Sequence, residues 1–266
     1  MPAATLSPRE FQVVWSVLGL GPVPFPLAGS GRERLSVAPA HGVFAALAER
    51  GLATAGRVHD EWVDCLTVLS RPDRSVDAVG MAGHRLAAVA ASHRGVAALA
   101  VVDRGSVVLA QIREGSLVES VVALLPHVPA GPGHELTVPV SAVHRFLAGD
   151  EFLAGDEFLA ADEPDDVGRH GDLSADRRAL TAAGVGMRDA TMLVHLAEDR
   201  RRGGQFGVNV ADPGTGGLYR CIPVVSWFDT ADGRYQMTND GTTLAISPAD
   251  SAQIAVRLHE ILDSHR

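Results

Sequence analysis

The 266-residue sequence contains no lysine, only two cysteines and 5% aromatic residues. All 23 basic residues are arginines, and with abundant Ala, Gly and Val this indicates codon bias from a GC-rich genome. Cys65 and Cys221 lie far apart and form no Cys-x-x-Cys pair, so the sequence predicts neither a disulfide framework nor a zinc site. We interpret both cysteines as buried free thiols.

Long apolar runs are also missing. None approaches the roughly 18–20 residues needed to cross a bilayer. Residues 1–5 lack the basic and apolar blocks of a signal peptide. We therefore expect a cytoplasmic protein without a membrane span. A hydrophobic content of 46% with 21% charged residues is typical of a globular chain.

Basic charge is scarce as well, since the net charge is −9. This argues against nucleic acid as a partner, because phosphates require a basic surface. Residues 146–172 contain nine acidic residues and one arginine, a charge of −8, which leaves −1 for the remaining chain. The acidity therefore belongs to one segment and not to the fold.

The first half of the sequence predicts three helices, a four-stranded meander and a fourth helix. Ser7 and Glu10 form a capping-box pattern, with Pro8 at the first helical position. Ser116 and Glu119 repeat that pattern before the fourth helix, which is predicted to end near Leu125. The other predicted helices lie at about 39–50 and 60–70, and the strands at about 75–82, 85–92, 96–102 and 106–113.

The second half repeats this order. Helices are predicted at about 175–184 and 188–199, and a final helix begins near Asp250. Pro223 predicts a bulge or an edge within the second strand. The predicted strands lie at about 204–211, 217–228, 233–238 and 242–247.

Each meander with helices on one face would leave an exposed edge strand. Joining the two meanders edge to edge would cover one edge of each. We therefore predict an α+β fold: a pseudo-twofold single domain over 1–266, with halves at about 1–130 and 131–266. Its central antiparallel sheet would consist of two four-stranded meanders flanked by helical bundles.

Residues 146–163 contain the hexapeptide Phe-Leu-Ala-Gly-Asp-Glu twice, followed by a close variant. Six residues advance about 240° around a helix, so the three phenylalanines cannot share one helical stripe. We interpret 146–172 as an acidic repeat insertion that forms a flexible, solvated linker. The alternative is an acidic-aromatic docking segment.

Motifs for catalysis, metal binding and phosphate binding are missing. The sequence has no Gly-x-Ser-x-Gly and no His-Glu-x-x-His, and Gly214–Gly217 joins two predicted strands where a phosphate loop would open a helix. We predict no catalytic residue, metal ligand or cofactor. Two alternatives stay open: an enzyme whose site is assembled from scattered residues such as His195, Asp229 and Tyr235, and a regulatory or scaffold domain that could form a homodimer through a sheet edge.

Several collinear blocks of the sequence resemble one family. They are Glu10-Phe11 with Trp15 and Leu18-Gly19-Leu20-Gly21, Pro24-Phe25-Pro26-Leu27, Gly203-Gly204-Gln205-Phe206-Gly207-Val208, Val224-Val225-Ser226-Trp227-Phe228-Asp229-Thr230, Gly233-Arg234-Tyr235, and Ser247-Pro248-Ala249-Asp250. These blocks resemble the EspG family of actinobacteria, which is associated with ESX (type VII) secretion. The resemblance covers nearly the whole chain except 146–172.

This resemblance implies a pseudo-twofold fold and a cytosolic chaperone without enzymatic activity. It implies a helical secreted client, the PPE-like member of a PE–PPE pair or an analogue, which the chaperone keeps soluble for export. It also implies a contact surface on the C-terminal helical bundle and the adjacent sheet, here helices 175–199 and strand 217–228. From these positions we expect six contact residues: Arg177, Arg188, Thr191, Met192, His195 and Trp227.

Overall fold

The computed structural model describes residues 3–30, 40–147 and 173–265. The first half contains β1 (Ala3–Leu6), α1 (Pro8–Val17), a 3-10 helix (Leu27–Ser30), α2 (Ala40–Glu49), a small hairpin of β2 (Ala53–Thr54) and β3 (Arg57–Val58), and α3 (Asp60–Ser70). It continues with β4 (Arg74–Met81), β5 (Arg85–His93), β6 (Val96–Asp103), β7 (Ser106–Ile112), a 3-10 turn (Glu114–Ser116) and α4 (Leu117–Val122).

The second half follows the same plan. It contains β8 (Leu136–Pro139), α5 (Val140–Leu147), α6 (Leu173–Ala182), α7 (Met187–Glu198), β9 (Arg202–Ala211), β10 (Leu218–Arg220) and β11 (Val225–Asp229). It ends with β12 (Arg234–Asn239), β13 (Thr243–Pro248) and α8 (Ser251–Asp263). The predicted helices and strands are therefore present, most of them within two residues of their expected ends.

One antiparallel sheet passes through both halves, in the order β1-β7-β6-β5-β4-β9-β11-β12-β13-β8. β4 pairs with β9, with Arg74 opposite Val210 and Met81 opposite Gly203. This pairing confirms the predicted edge-to-edge junction of the two meanders. From the junction outward, β4, β5, β6, β7 and β1 correspond to β9, β11, β12, β13 and β8. A pseudo-twofold axis therefore lies between β4 and β9. The domain boundaries themselves stay a prediction.

The register of the strands matches β5, β6 and β7 with β11, β12 and β13 residue by residue. Ser92 pairs with Ala97 between β5 and β6, and Asp229 pairs in the same way with Arg234 between β11 and β12. Counterparts in these strands therefore differ by 137 in residue number (92 and 229, 97 and 234). The same offset relates buried residues of α4 and the turn after it to residues of α8: Leu117 and Ile254, Val121 and Leu258, and Leu125 and Leu262.

Helices cover both faces of the sheet and produce three hydrophobic cores. α4 and α8 pack on one face, over the centre of the sheet, against side chains that include Phe206 and Trp227. On the other face, α1, α2 and α3 pack over β5, β6 and β7. The helices α5, α6 and α7 pack over β8, β11, β12 and β13 on that same face. The two helical bundles therefore lie side by side on one face of the sheet.

Local capping signals agree with the structure at two helix starts and not at a third. Ser7 Oγ accepts from the Glu10 amide at 3.3 Å, and the Glu10 carboxylate accepts from the Ser7 amide at 2.8 Å. The predicted start of α8 at Asp250 is confirmed, since Asp250 and Gln253 form a capping box. The box predicted at Ser116 is wrong, because a 3-10 turn occupies this position and the Ser116 side chain makes no capping bond. α4 also ends earlier than predicted, at Val122.

The strand predicted at 217–228 is two strands, and its break lies at the predicted proline. Four residues, 221–224, lie opposite only Gly207 and Val208 of β9, and the Ile222–Pro223 peptide bond is cis. The resulting bulge separates β10 from β11. β1 and β8 were not predicted, because strands of four residues are too short to show a period.

Most of the hexapeptide repeat lies outside the described residues; its first two residues complete α5. No helix in the described ranges is both long and apolar enough to cross a membrane. Cys65 and Cys221 are free and buried, as predicted.

Candidate partner-binding site

A pocket of about 360 Å³ opens beside α7, the β11–β12 turn and the loop that precedes β8. Four of the six predicted contact residues line it: Arg188, Thr191, Met192 and His195. The others in its lining are Pro132, Gly133, Leu196, Asp199, Thr230, Asp232 and Tyr235. We refer to this feature as the α7 pocket.

The sequence of α7 determines which of its side chains reach the pocket. Its buried residues, Ala190, Leu193, Val194 and Leu196, form an apolar stripe toward the core. Residues on the other side of the helix, such as Thr191 and His195, are left exposed. Met187, in the first turn, is 63% exposed and extends the accessible surface beyond the pocket. The amphipathic pattern therefore presents a mixed polar and apolar helix face to solvent.

Tyr235 closes the pocket from the sheet side. Its ring stacks on Phe228 with 5.4 Å between ring centroids, and its hydroxyl donates to the Pro132 carbonyl at 2.8 Å. Burial raises the pKa of Tyr235, and the carboxylates of Asp232 and Asp199 raise it further. The phenol is therefore a protonated donor that already has an acceptor.

Two glycines let the loop before β8 lie directly against these side chains. A Cβ on Gly131 would overlap the Tyr235 ring, and one on Gly133 would overlap Cε of Met192. Gly133 also has a φ of 116°, which other residues rarely adopt. The close approach of this loop narrows the pocket and fixes Met192 at its wall.

The β11–β12 turn forms the polar rim of the pocket. The Asp199 carboxylate accepts from the Ala231 amide at 2.7 Å, which ties the end of α7 to the turn. Thr230 Oγ1 donates to the Gly233 carbonyl at 3.0 Å and closes the turn. Asp232 is thereby held 3.9 Å from His195 Nε2, with both side chains mostly exposed. The rim therefore combines the carboxylates of Asp199 and Asp232 with the Arg188 guanidinium around an apolar centre.

The remaining two predicted contact residues lie elsewhere. Arg177 is exposed on α6 but does not line the pocket. Trp227 is completely buried on the opposite face of the sheet, under α8, with its ring 4.9 Å from the Arg234 guanidinium. The expectation that Trp227 contacts a partner is corrected, because this side chain has no accessible surface in the folded chain.

The residues of the enzyme alternative do not converge. Asp229 accepts from Arg234 at 2.7 and 3.1 Å on the α8 side of the sheet, whereas His195 and Tyr235 lie on the α7 side. Among the described residues there is no group of three or more side chains that could hold a metal ion. Within the described residues, the geometry therefore offers a recess for another molecule and does not bring these three side chains together.

Sequence reasoning missed the residues that the turn and the loop contribute to the pocket. Asp199, Asp232, Pro132 and Gly133 belong to no motif that the sequence analysis identifies. The cluster of glycine and proline at 129–133 was the available signal, since such residues permit close backbone approach.

Family models and solved structures both contain matches to this chain. A family model described as the EspG family matches residues 7–260. The fold is similar to the solved structure of the Mycobacterium tuberculosis type VII secretion system chaperone EspG5 in complex with a PE25–PPE41 dimer. That match has a TM-score of 0.72 and 16% sequence identity, and covers 98% of this chain and 96% of the other. No curated protein matches the sequence. Because the family model spans nearly the whole sequence, the chain belongs to the EspG family.

Proposed function

We propose that this protein is a chaperone of type VII secretion that binds a helical substrate of the PE–PPE kind and keeps it soluble before export. Membership of the EspG family supports this proposal. The similar solved chaperone, EspG5, is in complex with a PE25–PPE41 dimer. We further propose that the protein acts in the cytosol and without catalysis.

The observation that carries the proposal is the α7 pocket. Its apolar centre, around Met192 and Leu196, suits a bulky apolar side chain from the tip of a helical partner. Methionine adapts its shape to such a side chain because it is unbranched and polarizable. The charged rim of Arg188, Asp199 and Asp232 would orient the partner and disfavour wrong ones.

The same features support a role in binding and not in catalysis. A chaperone needs accessible apolar area, which the pocket and the exposed Met187 supply. The Tyr235 hydroxyl is engaged by Pro132 and is protonated, so it is not a base. Polar groups of the turn hydrogen-bond to each other, as Thr230 Oγ1 does to the Gly233 carbonyl.

Binding to a purified PE–PPE heterodimer, measured by calorimetry and by co-purification of the full chain, tests the proposal. Met192→Asp should weaken binding by about tenfold or more, because it places a carboxylate at the apolar wall of the pocket. Val256→Asp is the matched control, since Val256 is 59% exposed on α8, across the sheet from the pocket.

Unchanged affinity of the correctly folded Met192→Asp variant would contradict the placement of the site. Equal losses in the Met192 and Val256 variants would do the same. Failure of the wild-type chain to bind any PE–PPE pair that is encoded beside it would contradict the function itself.

A further inference from the structure

The charges of the α7 pocket lie at two ends of its apolar centre. Four residues of α7 line the pocket at positions i, i+3, i+4 and i+7, and therefore share one face of the helix: Arg188, Thr191, Met192 and His195. Arg188 lies in the first turn of α7, and His195 lies two turns later. With a rise of about 1.5 Å per residue, the two positions are about 10 Å apart along the helix axis.

Arg188 supplies the cation at the first of these ends. Its side chain is exposed, and among the described residues it has no hydrogen-bond or ion-pair partner. The carboxylate next to it in the sequence, Asp189, pairs instead with His134 Nε2 at 3.2 Å. The donors of the Arg188 guanidinium are therefore available to a partner molecule.

Asp232 supplies the anion at the second end, on a turn whose backbone is fixed. Its amide donates to Thr230 Oγ1 at 3.2 Å, and the neighbouring Ala231 amide donates to the Asp199 carboxylate at 2.7 Å. The Asp232 carboxylate lies 3.9 Å from His195 Nε2, which is longer than a hydrogen bond, and it is 59% exposed. Its oxygens are therefore available as acceptors at a defined place.

An unpaired cation and a weakly paired anion at this spacing match the ends of two helices. The last carbonyls of a helix carry partial negative charge and the first amides carry partial positive charge, and neither group has a partner within the helix. An arginine can bond the carbonyls and an aspartate the amides, as they do in helix caps. Two packed helices have axes about 8–10 Å apart, so the tip of an antiparallel pair presents both kinds of terminus at about the separation of Arg188 and Asp232.

We propose that the α7 pocket binds the tip of a helical hairpin in one orientation. The first helix of the hairpin ends at Arg188, the second begins at Asp232, and an apolar residue of the connecting turn contacts Met192 and Leu196 between them. This inference rests on the proposed function and specifies which end of each client helix meets which residue. The reverse orientation places carbonyls against Asp232 and amides against Arg188, so that like charges face each other. Arg188 and Asp232 therefore determine the orientation of the client.

A designed two-helix hairpin with a phenylalanine at its turn tests the proposal without a secretion substrate. One version has a glutamate in the last turn of its first helix and a lysine in the first turn of its second, and the other version exchanges these two residues. Each is titrated into the full chain while the methyl resonance of Met192 is followed. We expect the first version to bind at least about tenfold more tightly, because its charges meet Arg188 and Asp232 as opposite charges. Equal affinities, the reverse preference, or no saturation with either version would overturn the proposal.

A charge swap in the protein sharpens this test. Arg188→Asp combined with Asp232→Arg keeps the net charge and should reverse the preference between the two hairpins. The matched control exchanges an ion pair of α8 on the other side of the sheet, Arg257→Glu with Glu260→Arg, and should keep the wild-type preference. An unchanged preference in the swapped variant would contradict the orientation. If thermal unfolding shows that this variant is not folded, Arg188→Gln and Asp232→Asn provide the same test, since each should reduce the preference by about threefold.

A purified PE–PPE heterodimer then separates this inference from the proposed function. The swap of Arg188 and Asp232 should weaken its binding by about tenfold or more, and the control swap should leave it unchanged. Binding of the heterodimer that the first swap does not affect would contradict the orientation and leave the proposed function intact. Discrimination between the two hairpins, together with no binding of any PE–PPE pair, would support the orientation and contradict the proposed function.

Discussion

The two halves of the molecule share the same order of helices and strands, but they distribute side-chain volume differently between helix and sheet. Three buried alanines on the strands under α3 have large counterparts under α7. The counterparts are Ala91 and Phe228, Ala98 and Tyr235, and Ala100 and Met237. Accordingly the backbone of α3 lies close to β5, β6 and β7, whereas the closest backbone neighbour of α7 is α6.

This difference explains where the α7 pocket comes from. Small strand residues let α3 pack directly on the sheet, and the large Trp62 of α3 is itself buried. In the second half the rings of Phe228 and Tyr235 stand between α7 and the backbone of the sheet. A helix held away from the sheet leaves a recess at its margin. A redistribution of side-chain volume within one plan can therefore produce a binding surface in one half only.

A second difference concerns charge. The second half has the buried ion pair of Arg234 with Asp229, whereas the first half has the uncharged residues Ala97 and Ser92 at the counterpart positions.

The largest expected effect comes from breaking the buried charge cluster. Arg234→Ala should lower the free energy of unfolding by about 3–5 kcal/mol, because it leaves the buried Asp229 without its closest ion-pair partner. Urea unfolding followed by circular dichroism measures this change. Arg257→Ala, which removes an exposed ion pair with Glu260, is the control and should cost less than about 1 kcal/mol. A loss below 1 kcal/mol for Arg234→Ala would show that the cluster is not a structural centre of the second half.

A smaller effect is expected from enlarging a strand residue under α3. Ala98→Leu should lower the free energy of unfolding by about 1–3 kcal/mol, because α3 packs directly on β6 and leaves no room for a larger side chain. The same substitution at the exposed Ala252 of α8 should change it by less than about 0.5 kcal/mol. A neutral or stabilising Ala98→Leu would contradict the close packing inferred for the first half.

The smallest effect concerns the reactivity of two thiols: Cys65 on the buried face of α3, and Cys221 in the bulge after β10. Burial raises the pKa of Cys65 to about 11, with contributions from Asp64 and Glu61, and burial also raises the pKa of Cys221. A pKa near 11 leaves only about 0.1% of the Cys65 thiol as thiolate at pH 8, so its alkylation should be at least about a hundredfold slower than in the unfolded chain.

Mass spectrometry after timed alkylation at pH 8 resolves the two thiols. Raising the pH toward 11 should accelerate the modification of Cys65, since the thiolate fraction rises with pH up to the pKa. Modification of native Cys65 at the rate of the denatured chain would disprove its burial on the core face of α3.

Local patterns in the sequence were sufficient for much of the fold. Alternating residues and Gly-containing turns located β4 to β7, and the capping residues located the starts of α1 and α8. These signals are carried by neighbours in the sequence and are therefore readable without the tertiary structure. The need to cover strand edges also predicted the junction of β4 and β9.

The candidate site was only partly predictable. The family resemblance and the position of the predicted helix indicated Arg188, Thr191, Met192 and His195, and all four line the α7 pocket. The same reasoning failed for Trp227, because apolar residues lie on both sides of Ser226 in the run 224–228 and alternation cannot tell which face each side chain takes. Trp227 and Phe228 point to opposite faces, and the packing of α8 decides that the first of them is buried.

Local patterns predicted the two meanders and most of their helices, because periodicity and capping depend on residues a few positions apart, and the collinear blocks indicated the family. Three properties emerged only from the folded structure: which face each apolar residue covers, how far each helix lies from the sheet, and the presence of Ala97 at the position that corresponds to Arg234. Those properties depend on contacts between residues that are more than a hundred positions apart, such as Arg234 and Pro126, and no local pattern records them.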